Sequence, residues 1–311
     1  MLTIIALITL SFFTIQQTEI PDYYDRDSDF DEQLQEIVTD LELDGDFDVG
    51  EDGIEQISLA VIDLKPEKPV FAGVNPGNFI YPASVYKMYV AMTVLEQISS
   101  GRYFLDSLLS VQSPNDVDQS KEISTDPRPL LHDGDLVSVN YLLDFMVTRS
   151  DNSAANCLID IADRPNINEL MAKNNWQGSE VTRKFLSRKY EDPGYEKIRG
   201  TETSALHAAD FMYKIETNQL INPWVSKQMK TFLGRQLDNT KLSQGFPENT
   251  MFYHKTGWFS YWTNDVGIVD DGKIRYVIAC FLPLEEEMAL PKFDELAERI
   301  HQLMGKRQGS D

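Results

Sequence analysis

Apolar residues in the first third of the chain recur at spacings that predict two helices with two strands between them. Between Phe30 and Leu41 they fall three or four positions apart, which is the spacing of one buried helical stripe. Residues 57–64 and 70–72 are apolar runs on either side of a turn-rich segment, as expected for paired strands. Helical spacing returns over residues 84–98.

The rest of the chain changes from helical patterns to strand patterns. Residues 104–135 are rich in Pro, Asp and Ser, which indicates a long surface connection. Four helical patterns follow, beginning near Leu142, Ser153, Leu206 and Val225. Strand patterns then occupy 251–255, 266–269 and 274–282, the last two joined by an Asp-Asp-Gly-Lys turn, and a helix closes the chain.

Strands near both ends, with helices between them, predict an α/β (α+β) fold. Its antiparallel sheet is built from both chain ends and flanked by helices, and an all-helical domain is inserted between the halves. We assign residues 56–100 and 203–305 to the α/β domain and 101–202 to the helical domain. Residues 1–20 form a leader, and residues 21–55 hold an acidic linker and the first helix.

The leader and the charge bear on location and partners. Residues 2–15 are apolar, too short a run to span a bilayer but typical of a signal-peptide core. We therefore expect an exported protein, periplasmic or secreted, without a stable membrane span. A short membrane anchor is the alternative, because no basic residue precedes the run and no Ala-x-Ala site follows it. The net charge of −22 argues against nucleic-acid partners.

Cysteine and histidine usage predicts neither a disulfide nor a metal site. Cys157 and Cys280 sit in apolar runs, which favours buried thiols. The four histidines are scattered and form no zinc-binding motif. Acidic residues from Asp44 to Glu55 match several positions of a calcium loop, but its glycine is displaced, so we favour a solvated acidic segment. We expect no cofactor and no metal.

The sequence Ser84-Val85-Tyr86-Lys87 places a hydroxyl and an amine three residues apart at the start of a predicted helix. Both therefore project from the same face. Burial, or a second cation nearby, would favour the neutral amine that can act as a base. The helix N-terminus adds N–H groups that stabilise a developing oxyanion. The motif occurs once in the sequence, and alone it is weak evidence.

Two further motifs strengthen it. Ser150-Asp151-Asn152 lies between helical patterns, and Lys255-Thr256-Gly257 lies in a predicted strand. The three motifs, in this order, are the signature of class A β-lactamases and penicillin-binding proteins. SDNSAANCLID and the later HKTG and TNDVGIV resemble stretches of the same family. The chain thus resembles a class A serine β-lactamase, or a close relative among the penicillin-recognising serine hydrolases, over roughly residues 30 to 305.

The resemblance implies a β-lactamase/transpeptidase-like fold and a role for each motif residue. Ser84 would be acylated, and Lys87 would accept its proton. Ser150 would relay a proton to the leaving nitrogen, and Asn152 would bind the substrate's amide side chain. The remaining implied site residues are Lys255 and Thr256 for the substrate carboxylate, Gly257 for space beside the strand, and the N–H groups of Ser84 and Trp258 for the oxyanion.

One part of the family pattern is missing. Class A enzymes use a glutamate, in a pattern like E-x-x-L-N, to activate the water that releases the acyl group. Glu191 is the best candidate here, but the leucine and the asparagine do not follow it. Glu196 and Glu202 are alternatives. The sequence therefore supports acylation better than rapid turnover.

We expect a monomeric serine hydrolase that acts on a small-molecule β-lactam or on a peptidoglycan peptide. The leading hypothesis is a β-lactamase, with a role in antibiotic resistance, that works through a Ser84 acyl-enzyme. One alternative is a D-alanyl-D-alanine peptidase or esterase of the same superfamily. Another is a non-hydrolytic penicillin-binding receptor domain that stays acylated.

Overall fold

A six-stranded sheet forms the centre of the protein. The computed structural model describes residues 19–187, 190, 194 and 200–309. The strands of the sheet are β1 (Asp25–Arg26), β4 (Ser58–Asp63), β5 (Val70–Val74), β8 (Met251–Phe259), β9 (Trp262–Asp270) and β10 (Arg275–Leu282). Their spatial order is β1-β5-β4-β10-β9-β8. The predicted α/β (α+β) class, with a largely antiparallel sheet built from both ends of the chain, is confirmed.

The middle of the sheet joins distant parts of the sequence. Strand β4 pairs antiparallel with β10, with Leu59 opposite Cys280. Every residue of β4 is buried, as is nearly every residue of β10, which explains the uninterrupted apolar stretches at 59–62 and 276–282. Strand β1 pairs in parallel with β5. This pair was not predicted, because two residues are too few to show a period.

Helices cover both faces of the sheet. Helices α1 (Ser28–Asp40) and α8 (Glu286–Gln308) pack on one face in an apolar cluster that includes Phe30, Leu34 and Phe293. Helix α6 (Ala205–Glu216) packs on the opposite face against β4, β9 and β10. The predicted N-terminal helix is therefore real, and the side chain of Asp27 caps it by accepting the N–H groups of Asp29 and Phe30.

The remaining helices surround α2 (Lys87–Ser99). These are α3 (Val139–Thr148), α4 (Asn152–Ala162), α5 (Arg164–Lys173) and α7 (Pro223–Leu233), and each contacts α2. Ten of the 13 residues of α2 are buried, so this helix is apolar around most of its circumference. The start of α2, where Ser84 and Lys87 lie, is thereby held between the sheet and the helical part of the molecule.

Two short sheets occur in segments predicted to be irregular. Strands β2 (Phe47–Asp48) and β3 (Ile54–Glu55) make a hairpin within the acidic segment, and β6 (Leu108–Ser110) pairs with β7 (Leu136–Ser138). Both cysteines are buried and free, as predicted. Among the residues from 19 onward that the structure describes, we find no helix with the length and apolarity needed to cross a membrane. Most of the predicted leader, residues 1–18, lies outside the described residues.

Candidate active site

Ser84 sits in a tight turn that leads into α2. Residues Ala83–Tyr86 form a short 3₁₀ helix, and α2 begins at Lys87. Ala83 has a φ of 46°, a left-handed conformation that is uncommon for a residue with a side chain. Such local strain is often found at functional sites. Ser84 is partly exposed and lines a deep cleft, whereas Lys87 is fully buried.

Among the described residues, the Lys87 amine donates its hydrogen bonds to uncharged oxygen atoms. Its Nζ donates to the carbonyl oxygen of Ser150, to Ser150 Oγ at 3.2 Å and to Asn152 Oδ1 at 2.8 Å. The ring of Phe185 lies against the amine, with its centroid 4.3 Å from Nζ. Burial lowers the pKa of Lys87 to about 8, although the nearby charges of Glu122, Asp118 and Asp151 oppose the shift. The neutral form of the amine is therefore far more accessible near physiological pH than in an exposed lysine.

Ser150 lies in the short connection between α3 and α4. Its φ of 62° is left-handed, and its hydroxyl is held between two buried lysines. The second lysine is Lys255 on strand β8, whose Nζ donates to Ser150 Oγ at 3.0 Å. A hydroxyl can accept two hydrogen bonds and still donate its own proton. Ser150 is thus suited to pass a proton between a lysine and a third group.

Lys255 is the second buried amine of the site. Besides Ser150 Oγ, its Nζ contacts the carbonyl oxygen of Thr256 at 2.8 Å. Burial, and then the charge of Lys87, lowers the pKa of Lys255 to about 7. The two lysines share one hydroxyl, so a proton on one disfavours a proton on the other.

Thr256 and Gly257 shape the edge of the cleft along β8. The hydroxyl Oγ1 of Thr256 is buried and has no hydrogen-bond partner among the described residues. A Cβ added to Gly257 would lie 2.7 Å from the Pro82 carbonyl oxygen and 2.8 Å from the backbone nitrogen of Ser84. Only glycine therefore allows β8 to approach the Ser84 turn this closely. Trp258 follows, and 46% of its surface is exposed.

Asn152 begins α4 and is held by two neighbours. Its Oδ1 accepts from Lys87, and its Nδ2 donates to Asp118 Oδ1 at 3.0 Å. Its backbone N–H also donates to Asp118 Oδ2, at 2.7 Å. Asp118 was not predicted as a site residue. It lies within the long connection of residues 104–135, where the sequence has many Asp residues and no periodicity to single one out.

The cleft has a volume of about 810 Å³. Its floor includes Ser84, Ser150 and Asn152, and the aromatic residues Trp258, Phe259 and Trp262 line it along β8 and β9. Trp258 is exposed in this lining and Trp262 is mostly buried, whereas the ring of Tyr261 lies next to Gly50 of the acidic segment. That size and mixed lining are typical of small-molecule sites.

Of the three candidates for the deacylating base, only Glu202 belongs to the described residues. Glu191 and Glu196 lie outside the described residues. Glu202 lines the cleft, as do Asp118 and Glu122. Burial raises the pKa of Glu122, although the charges of Lys87 and Lys255 act against this shift. Glu122 is the second acidic residue of the cleft that sequence reasoning missed.

The histidines take no part in the described site. His254, next to Lys255 in β8, bonds through Nδ1 to Asp265 Oδ1 at 2.9 Å, on the other side of the strand from Ser150. Within the ranges that the structure covers, we find no group of three or more His, Cys, Asp or Glu side chains arranged to hold a metal ion.

Comparisons with known proteins give one family match and several solved structures of similar fold. The sequence profile of the Beta-lactamase enzyme family matches residues 34–304. PBP-A resembles the structure with a TM-score of 0.75 at 17% identity, covering 93% of this chain and 100% of PBP-A. A β-lactamase from Sphaerobacter thermophilus gives 0.73 at 18%, covering 88% and 98%. An ancestral class A β-lactamase gives 0.70 at 19%, covering 88% and 99%. No curated protein sequence matched the chain.

Proposed function

Because this chain belongs to the Beta-lactamase enzyme family, we propose that it is a serine β-lactamase of the class A type, which opens β-lactam rings through an acyl-enzyme at Ser84. The observation that carries the proposal is the hydrogen-bonded chain from Lys87 through Ser150 to Lys255. It supplies a buried amine with a lowered pKa, three residues after Ser84 in the chain, and a hydroxyl that can deliver a proton to a leaving group.

Acylation follows from these positions. Ser84 Oγ attacks the lactam carbonyl carbon as its proton moves to the neutral Lys87 amine. The carbon–nitrogen bond of the ring then breaks, and the nitrogen takes the hydroxyl proton of Ser150. Lys87 returns a proton to Ser150, so these two side chains end the step in their original protonation states and the Ser84 proton has in effect passed to the ring nitrogen. The product of the step is an ester between Ser84 and the opened ring.

The edge of β8 is suited to hold the substrate. We assign the substrate carboxylate to the buried and unpaired Thr256 Oγ1, with Lys255 beside it. An anion there would favour the protonated form of Lys255. The close approach of Gly257 to the backbone nitrogen of Ser84 supports an oxyanion site made by the N–H groups of Ser84 and Trp258.

Release of the acyl group needs a base for water. We propose Glu191 for this role, with Glu202 as the alternative, because Glu202 lines the same cleft. Glu191 lacks the leucine and asparagine that accompany the family's glutamate. That departure favours a second candidate function, a D-alanyl-D-alanine peptidase or esterase of the same superfamily, and a penicillin-binding receptor that remains acylated is a third. A point mutant of PBP-A, a structural neighbour, was solved as its acyl-enzyme with penicillin-G.

One experiment tests the proposal and separates the candidates. Purified protein is mixed with a chromogenic cephalosporin and with labelled penicillin, and turnover and trapped adduct are followed together. Sustained turnover is expected of a β-lactamase, whereas one stoichiometric burst identifies a receptor or a peptidase. Ser84→Ala should give neither signal, and labelling of that variant equal to the parent would overturn the assignment.

The deacylating base is tested in the same assay. Glu191→Gln should acylate at the parental rate and accumulate the adduct, because only the second half of the reaction loses its base. Glu202→Gln is the matched control variant, since it removes one carboxylate from the cleft while leaving Glu191 intact. Full turnover in Glu191→Gln, with trapped adduct in Glu202→Gln, would identify Glu202 as the deacylating base instead of Glu191.

The predicted leader supports a further proposal, that the protein is exported and meets β-lactams outside the cytoplasm. Expression with an N-terminal epitope and a C-terminal epitope, followed by fractionation, tests it. Recovery of both epitopes in the cytoplasmic fraction would contradict export.

A further inference from the structure

Asp118 lies in a loop, but its carboxylate is hydrogen-bonded to Asn152 of the candidate active site. Its Oδ2 accepts the backbone N–H of Asn152, and its Oδ1 accepts from Asn152 Nδ2. In return, Ser153 Oγ accepts the N–H groups of Val117 and Asp118 at 3.0 and 3.2 Å. The loop and the start of α4 therefore hold each other through hydrogen bonds in both directions.

Helix capping does not account for all of these contacts. Helix α4 already has a cap in Asp151, whose Oδ1 accepts the N–H of Ala154 at 2.8 Å. Asp118 adds contacts to the first N–H groups of the helix, as a second cap would. Its bond to the side-chain amide of Asn152 serves no helix N–H group. That bond acts on a residue of the catalytic site.

The bond decides which way the Asn152 amide points. An ionised carboxylate can only accept hydrogen bonds, so it requires the NH₂ group of the amide on its side. A charged lysine can only donate, so it requires the amide oxygen. Asp118 and Lys87 lie at the two ends of this amide and impose the same orientation. A rotated amide would place its NH₂ group against the Lys87 amine and its oxygen against Asp118.

We propose that Asp118 is a positioning residue of this active site, which fixes the amide of Asn152 so that its oxygen holds Lys87 and its second N–H is offered to the substrate. The part that concerns substrate rests on the proposed function. Asp118 lines the cleft beside Ser84 and Ser150, so its loop also borders the space that a substrate side chain would occupy.

The charge of Asp118 acts on Lys87 as well. Burial, and then the charge of Asp151, raises the pKa of Asp118. Asp118 in turn favours the protonated form of Lys87, as Glu122 and Asp151 do, while Lys255 is the other cation that shares Ser150 with Lys87. Loss of the Asp118 charge should therefore shift the pH dependence of acylation to lower pH, which loss of a structural cap alone would not do.

The first test needs no substrate. Heteronuclear NMR should show the two side-chain amide protons of Asn152 as separate signals, at least one of them slow to exchange with water. Asp118→Ala should bring both to fast exchange, and Asp118→Asn, which keeps an acceptor oxygen, should be intermediate. The control is Asp133→Ala, which removes a carboxylate that binds the Ser113 N–H on an exposed loop. Unchanged Asn152 signals in both Asp118 variants would overturn the proposal.

The second test measures acylation by benzylpenicillin and by a penicillin nucleus without the acylamino side chain. Asp118→Ala should slow acylation by benzylpenicillin about 10- to 100-fold, as misplacement of a substrate-binding group does, and should affect the bare nucleus less. The double variant with Asn152→Ala should be no slower than Asn152→Ala alone, because both changes remove the same interaction. Equal losses for both substrates, or additive losses, would leave Asp118 with a structural role only.

The two tests distinguish the possible failures. If neither β-lactam labels the parent at Ser84, the proposed function fails. The NMR result then still decides whether Asp118 fixes the Asn152 amide, because that measurement is made on the free protein. If Asp118→Ala does not fold, Asp118→Asn supplies both the amide signals and the ratio of acylation rates.

Discussion

Two regions of the molecule contain buried lysines, and the pKa values of these lysines are shifted in opposite directions. Lys87 and Lys255 at the cleft contact carbonyl, hydroxyl and amide oxygens. Lys241, equally buried, donates to Asp238 Oδ2 at 2.7 Å and to Glu286 Oε1 at 3.0 Å. Burial lowers the pKa values of the cleft lysines to about 8 and about 7. Burial acts in the same direction on Lys241, but Asp238 and Glu286 outweigh it and raise its pKa.

Direct contact with a carboxylate makes the difference between a structural lysine and a lysine that can accept a proton. A buried amine without such contact is held at a cost in free energy, because its charged form loses hydration and gains no ion pair. Burial of the cleft lysines therefore costs stability and favours their neutral form, whereas Lys241 ties the segment before β8 to the start of α8. The comparison can be tested with the same substitution at each site.

The largest expected effect is on acylation. Lys87→Met should slow labelling of Ser84 by about 100- to 10,000-fold, the usual contribution of a general base. Lys241→Met removes an equally buried amine and should change the labelling rate by less than about threefold, since it lies outside the cleft. Rates of adduct formation with labelled penicillin measure both. A fall of similar size in the two variants would show that burial of an amine, rather than its place at Ser84, matters.

The effect on stability should run in the opposite order. Lys241→Met should lower the free energy of unfolding by about 3 to 5 kcal/mol, because it leaves Asp238 buried without its cation. Lys87→Met should leave stability unchanged or raise it by up to about 2 kcal/mol, since a buried charge is replaced by an apolar side chain. Denaturant unfolding of both variants measures this.

The pH dependence of the Lys87 effect follows from its pKa. The folded-state pKa of about 8 lies below the unfolded value of 10.5. The folded protein is therefore penalised below pH 8, where the buried amine must carry a proton, and the penalty disappears as pH rises toward the unfolded pKa. Any gain in Lys87→Met should be largest in acid. A gain that grows with rising pH would contradict a lowered pKa.

The smallest expected effect comes from Glu122. Its charge favours protonation of Lys87, so Glu122→Gln should lower that pKa further. Acylation of the parent should decline as pH falls below about 8, and in the variant this decline should begin at lower pH. The acylation rate below neutral pH should then rise about two- to fivefold. Glu169→Gln on α5, which pairs with Lys173 on the surface, removes the same charge and should leave the profile in place.

The fold class could be predicted from the sequence because its main elements are strongly apolar, and the three motifs could be recognised directly. The strands β4, β9 and β10 and the helix α2 are buried over most of their length, so each appears in the sequence as a clearly apolar stretch. The motif residues also occur in recognisable runs. Asp118 and Glu122 could not be found in this way, because they reach the cleft from an irregular loop. Nor could the sequence separate Lys87 from Lys241, since the pKa of each depends on contacts with residues far along the chain.

The pairing of β4 with β10 has a consequence for folding of the chain during its synthesis on the ribosome. Ser84 and Lys87 follow directly after β4 and β5, whereas Lys255 lies on β8, in a run of hairpins that ends with β10. Within the sheet, the N-terminal strands meet the C-terminal strands only through the pairing of β4 with β10, which includes Leu59 opposite Cys280. Contacts of such long sequence separation form late in folding. A nascent chain should therefore gain the ability to be labelled by penicillin only after β10 has emerged and closed the sheet.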